Sequence, residues 1–277
     1  MSNAVMPLGR RIVLFAKQKK TQRVVVLCIL VVVVPRVMIF YVVCGLIDVM
    51  RNTRKSSEMF LKYFIGSGAL TWFLSPLNIL LDVLALPYWN KGVYQLEDLP
   101  LGHREELERL FEVFEKEKVV GRIEERLEGK GREMIFFKWY GQNRETPLDI
   151  PAFHENYKYI MTIGVSVFNE KASTSKHFGP FRPTLRVLYN LNPVESDQAY
   201  IDVGTTRNYW NQNRLFIFDD TLFHQSINET EEKRYCAFID IVRPSPWPRF
   251  QRAIVMAFGS LLVRFNGIFY NAWSFLK

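Results

Sequence analysis

Cysteine is scarce. Cys28, Cys44 and Cys236 are the only three in 277 residues. Two lie in apolar runs and the third in a β-type run, so the chain carries neither a disulfide framework nor a thiolate metal site. That usage suits a reducing compartment. Histidine is nearly as rare, at four. The net charge of +8 comes without a zinc finger, an RNP-like motif or a basic-aromatic groove, so nucleic acid is not the expected partner. There is no internal repeat or low-complexity stretch. The apolar run after the basic N-terminus lacks a small-residue cleavage site, so it reads as retained.

What the chain does have is apolar sequence in three blocks, at 24–50, 63–89 and 253–276. Basic residues flank the first two: Arg10, Arg11, Lys17, Lys19, Lys20 and Arg23, then Arg51, Arg54, Lys55 and Lys62. That pairing points to anionic lipid headgroups. Val24–Met50 has the roughly 20 residues a spanning helix needs. Arg36, beside Pro35, would cost about 2.5–3.5 kcal/mol there, so the run reads as a kinked span or a shallow re-entrant segment. Tyr63–Leu81 holds no charge and is long enough to span. Two spans form a hairpin, and the basic N-terminus then puts the following domain in the cytoplasm. Ala253–Leu276 contains Arg264, Asn266 and Asn271, which favour a helix lying in the interface.

The expected organisation is therefore a membrane anchor with two apolar helices at 1–91, a helical connector at 92–150, a β domain at 151–249 and a C-terminal interfacial helix at 250–277. In the connector, Leu107, Leu110, Phe111, Phe114, Val119 and Ile123 make an apolar stripe of helical period. The β domain shows runs at Tyr157–Phe168, Thr184–Leu191, Gln198–Val203, Arg214–Asp219 and Arg234–Val242, a pattern for an antiparallel barrel or sandwich.

Four residues of that domain stand out. His177 precedes a Gly-Pro turn, and His224 follows the run ending at Phe218. Neutral imidazoles in a β domain suit Fe, Zn, Cu or Ni. Arg186 and Arg234 alternate with apolar neighbours, which turns them away from those neighbours and towards a barrel interior. A buried guanidinium needs a partner. A dicarboxylate fits, and so does a salt bridge to Asp202 or Asp240.

The set Ser166, His177-x-Gly179-Pro180, Leu185-Arg186, Phe218-Asp219-Asp220, His224, Arg234 and Asp240-Ile241-Val242-Arg243-Pro244 resembles the aspartyl/asparaginyl β-hydroxylase family of iron(II)- and 2-oxoglutarate-dependent dioxygenases. The resemblance covers about residues 155–248 and implies a double-stranded β-helix, a jelly roll. It implies that His177 and His224 bind Fe(II), that Arg234 with Ser166 clamps the distal carboxylate of 2-oxoglutarate, and that Arg186 contacts the co-substrate nearer the metal. Some members carry an acidic third ligand where Gly179 stands and others have Gly there; the resemblance puts this chain with the latter and implies that water completes the metal shell. Leu188 stands where members often have a further histidine. Asp220 is a candidate to orient His224 or to cap a turn. The implied reaction is hydroxylation of an unactivated C–H with O2. A lipid acyl chain is the favoured substrate, because apolar segments flank the barrel and some bacterial relatives resemble lipid acyl hydroxylases. The alternatives are a peptidyl Asp or Asn side chain, or an inactive scaffold that keeps the barrel.

Overall fold

The computed structural model describes residues 34–125, 132–264 and 274–275. Four short helices lead: α1 (Pro35–Val49), α2 (Ser57–Phe64), α3 (Ala69–Phe73) and α4 (Ser75–Leu84). After β1 (Val93–Tyr94) come α5 (Leu101–Lys116) and α6 (Val119–Glu124). The strands continue as β2 (Arg132–Trp139), β3 (Gln142–Asn143), β4 (Ile160–Phe168), β5 (Thr184–Asn190), β6 (Ala199–Val203), β7 (Thr206–Tyr209), β8 (Leu215–Phe218), β9 (His224–Asn228) and β10 (Arg234–Val242). Helix α7 (Pro248–Arg264) and β11 (Ser274–Phe275) follow.

These strands form a large sheet in the order β1-β8-β5-β10-β4-β2-β11, with β3 on β2, and a small sheet in the order β7-β6-β9. Every pairing is antiparallel except β2 with β11. Side chains alternate across the large sheet as a pleat requires. Tyr235, Ala237, Ile239 and Ile241 of β10 join Leu185 and Val187 of β5 in a core with Leu107, Leu110, Phe114, Val119 and Ile123. The apolar stripe of α5 and α6 thus packs on the outer face of the barrel. The opposite face of the large sheet meets the small one, with Leu188, Phe216, Phe218 and Cys236 against Ala199, Ile201 and Val203. This mainly β, jelly-roll arrangement agrees with the expected class.

The membrane hairpin does not appear as expected. No helix among the described residues is long and apolar enough to cross a membrane. Tyr63–Leu81 is divided among α2, α3 and α4. The breaks fall at Gly66-Ser67-Gly68, and Pro76 opens α4. At Gly68 a Cβ would lie 2.8 Å from the Phe178 ring, so this turn presses on the barrel and cannot straighten. The first ten residues of the first apolar run, 24–33, lie outside the described residues. The helix in its described part, α1, has 15 residues, about 22 Å at ~1.5 Å per residue. The segment read as connector also holds β2, a full member of the large sheet. Its sequence, REMIFFKW, is covered on both faces and so lacks the alternation that marks a half-exposed strand. The interfacial reading of 250–277 meets α7, which ends at Arg264; residues 265–273 lie outside the described set.

A buried ion cluster joins these helices to the barrel. Arg182 pairs with Asp48 of α1, reaches Asp82 of α4 at 2.8 Å and Thr221 at 3.2 Å. Arg243 also pairs with Asp82, and Arg51 reaches Asp219 at 2.8 Å. Burial would raise the Asp219 carboxyl, but Arg51 and Arg182 outweigh it and hold it well below the usual carboxylate range. Removing one member leaves the others buried and uncompensated. Arg182→Met should lower the unfolding free energy by about 3–5 kcal/mol in denaturant titrations, with the helices detaching first. The depressed Asp219 value also fixes a sign. Its stabilisation is complete above the unfolded value of about 3.9 and is lost as pH falls towards the folded one. Asp219→Asn should therefore flatten the acid side of the stability curve.

Candidate active site

His224 opens β9, and His177 lies in the loop after β4. Their backbones form an isolated antiparallel bridge, with both N–H···O contacts at 3.0 Å. The imidazole centroids are consequently 4.2 Å apart. Each ring is set in the same way. His177 Nδ1 lies 2.7 Å from the Ser175 carbonyl and His224 Nδ1 lies 2.7 Å from the Leu222 carbonyl. A proton on each Nδ1 satisfies these contacts and leaves the lone pair on Nε2, the tautomer a metal needs. Burial, with Arg186 nearby, outweighs the Leu222 bond and pushes His224 down to about 4, so it is neutral at pH 7.

A carboxylate does reach this pair, though not from residue 179. Asp220 Oδ1 lies 3.4 Å from His224 Nε2, and its Oδ2 lies 3.2 Å from Arg186 Nη2. A Cβ at Gly179 would stand 1.9 Å from Asp220 Oδ2. Asp220 therefore occupies the space that a side chain at 179 would need. Among the described residues no three acidic, thiol or imidazole groups are drawn together as a ready metal cage. The two imidazoles fit a metal whose remaining positions are filled from outside the protein.

The two arginines differ sharply. Arg186 is held by Asp240 at 2.7 Å as well as by Asp220, and it lies 3.6 Å from the Phe238 ring centroid. The salt-bridge reading left open by the sequence is thus met at Arg186. Arg234 is 1 % exposed and has no acidic partner among the described residues. It donates to Ser226 Oγ at 2.9 Å and lies between the Phe168 and Trp210 rings, at 4.3 and 5.0 Å. Its Nε and Nη1 find no oxygen or nitrogen acceptor among the described residues, and neither does Ser166 Oγ find a partner. Burial pulls the Arg234 pKa down, against the Cys236 thiol beside it. A charged, dry and unpaired guanidinium is costly unless an anion completes it.

A cavity of about 440 Å³ connects these groups. Met134, Phe136, Trp139, Leu188 and Phe238 make much of its wall, and its polar lining includes Ser166, Arg186, Asp220 and Arg234. Gly66, Ser67, Ala69 and Leu70 close one side. The helices grip the histidine loop directly: Thr71 Oγ1 donates to the Gly179 carbonyl at 2.9 Å, and Asn78 Nδ2 donates to the Pro180 carbonyl at 3.3 Å. Ser166, His177, Arg186, His224 and Arg234, all singled out in the sequence, thus meet in one cavity. Thr71, Asn78, Arg182, Trp210 and Ser226 were missed. Thr71 and Asn78 are polar residues inside an apolar run, a signal that was available.

The family model for Aspartyl/Asparaginyl beta-hydroxylase matches residues 103–244, about half of the chain. The chain belongs to this family. A relative, the ornithine lipid ester-linked acyl 2-hydroxylase of Rhizobium tropici, is 30% identical over 90 residues. That match covers 32% of this chain and 32% of the relative, so the chain spans about a third of the relative's length. Among solved structures, a 2OG-Fe(II) oxygenase family oxidoreductase from Burkholderia pseudomallei aligns with a TM-score of 0.29 and 12% identity, over 41% of this chain and 69% of its own. A Pseudomonas putida prolyl-4-hydroxylase aligns at 0.25 and 14%, over 30% and 50%. Alignments this loose carry no weight for the reaction; the jelly roll rests on the sheets described above.

The Gly179 geometry yields a test. Gly179→Asp restores the carboxylate usual at this place but must displace Asp220. Fe(II) or Mn(II) affinity, read by calorimetry, should fall by about 10-fold or more, as when a ligand's support is lost. Unchanged or tighter binding would contradict the geometry.

Proposed function

We propose that the protein is a membrane-held dioxygenase that uses Fe(II), 2-oxoglutarate and O2 to hydroxylate an unactivated C–H bond of a lipid acyl chain. The observation that carries this reading is Arg234, a buried cation with unused donors that lines the same cavity as two pinned imidazoles. In this reading His177 and His224 hold the metal. Arg234, with Ser166 and Ser226, takes the distal carboxylate of 2-oxoglutarate through parallel N–H···O bonds. Arg186, braced by Asp240, steers the end nearer the metal. Bound there, Fe(II) supplies the oxidising chemistry: one oxygen atom of O2 enters the C–H bond, and the other enters the succinate formed as 2-oxoglutarate loses CO2.

The protein's own part is to position and to exclude water. The Ser175 and Leu222 carbonyls hold the imidazoles in one tautomer. The apolar wall keeps the cavity dry, which strengthens the Arg234 pairing. Leu188, in place of a frequent family histidine, leaves the co-substrate to Arg234 and the serines. Lipid is favoured over an Asp or Asn side chain because Met134, Phe136, Trp139, Leu188 and Phe238 make a broad apolar part of the wall. The function printed for the Rhizobium tropici relative points the same way. The rival reading, a barrel without turnover, draws on Leu188 and Gly179 and requires that the co-substrate not bind.

Arg234→Met should therefore weaken 2-oxoglutarate binding by roughly 30-fold or more, as when a buried charge pair worth about 2–5 kcal/mol loses a partner. His177→Ala should abolish succinate release while the fold persists. Succinate release stimulated by membrane lipid extract supports the acyl substrate. Release stimulated only by Asp- or Asn-containing peptides would move the assignment to a peptidyl hydroxylase. Failure of the unaltered protein to bind 2-oxoglutarate would leave the scaffold.

A further inference from the structure

Helices α1, α3 and α4 have a defined inner side. Asp48 of α1 and Asp82 of α4 both turn to Arg182 at the edge of the barrel. Fixing the inner faces by one shared cation fixes the outer faces too. The outer sides are apolar and uncovered: Phe40 and Ile47 are each 54% exposed, Phe73 62% and Leu80 52%. The Tyr41 and Phe73 rings stack at 6.0 Å, so α1 and α3 present one continuous surface. A soluble monomer seldom leaves such a contiguous surface to water.

The charge pattern selects the occupant. Asp48 and Asp82 are the only acids of these helices, and both point inward. Arg36 at the start of α1 and Arg54 and Lys55 just past its end are exposed. The apolar stretch 24–33 leads straight into α1, and Arg10, Arg11, Lys17, Lys19, Lys20 and Arg23 precede it. An acid-free apolar face rimmed by cations matches an anionic leaflet. We infer that α1, α3 and α4 form a docking face that sits in the surface of an anionic bilayer without crossing it, and that brings the cavity to the lipid.

The second half of this statement follows from α3. This five-residue helix supplies Ala69 and Leu70 to the cavity wall and Phe73 to the outer face. Less than two turns of helix separate the lipid side from the cavity, and Ser67 at the same rim is exposed. Thr71, between them, holds the carbonyl of Gly179. The same short element would touch lipid, line the path and brace the histidine loop. This deepens the hydroxylase reading, since only a membrane substrate gains from it.

The test uses the full chain with Cys28→Ser, carrying a nitroxide at Ile47→Cys, Phe73→Cys or Leu80→Cys, and at Glu231→Cys as an exposed site on the β9–β10 turn. Each protein is bound to phosphatidylcholine/phosphatidylglycerol vesicles. The accessibility of the label to O2 and to a water-soluble nickel chelate reports depth. The three helix labels should favour O2 and be shielded from the chelate, and the Glu231 label should do the reverse. Chelate-accessible helix labels on vesicle-bound protein would overturn the inference. So would labels shielded without lipid, with spin–spin broadening from a second copy covering the face. Binding of 2-oxoglutarate is measured on the same samples. Its absence with lipid-exposed helix labels would sink the hydroxylase reading and leave the docking face standing.

Discussion

The buried pairing of Arg182 with Asp48, Asp82 and Asp219 is the constraint on which the rest depends. It makes apolar helices part of the barrel domain. Arg182 lies in the chain just after His177 and Gly179, and Asp219 lies beside Asp220. The cluster that seats the helices therefore also sets the loops carrying both imidazoles. Charges grouped in this way are stable only together, because each is costly without its partners.

Two classes of buried arginine follow. Arg182, Arg186 and Arg243 meet carboxylates from the chain itself. Among the described residues Arg234 meets only a serine hydroxyl, a thiol and two aromatic faces. The first class has its charge compensated within the protein, and Arg186 keeps a place in the cavity wall while so held; the second has donors left over. The separation is sharp because both lie in the same dry interior, where solvent cannot take the place of an anion.

Ser166, Arg186 and Arg234 were legible in the sequence because they sit on strands whose alternation could be read, whereas His177, in a loop, and His224, on β9, stood out through the order and spacing of the motif pieces around them. β4, β5, β6, β8 and β10 agree closely with the runs seen in composition. The strand β2 was hidden because both of its faces are covered. The strand β9 was hidden because HQSIN is short and polar, yet it opens with His224. The membrane hairpin was overread: uniform hydropathy in 63–81 conceals Gly66 and Gly68, which bend the chain, and Thr71 and Asn78, which bond the histidine loop. Arg182 could not be assigned, since Asp48 and Asp82 lie 134 and 100 residues away in sequence.

The most direct measurement is a crystal structure of the protein with Mn(II) and 2-oxoglutarate. The account predicts the metal between His177 and His224, and the distal carboxylate within hydrogen-bonding distance of Arg234 and Ser166. A co-substrate bound elsewhere, or an Arg234 that finds a carboxylate of the chain instead, would contradict it.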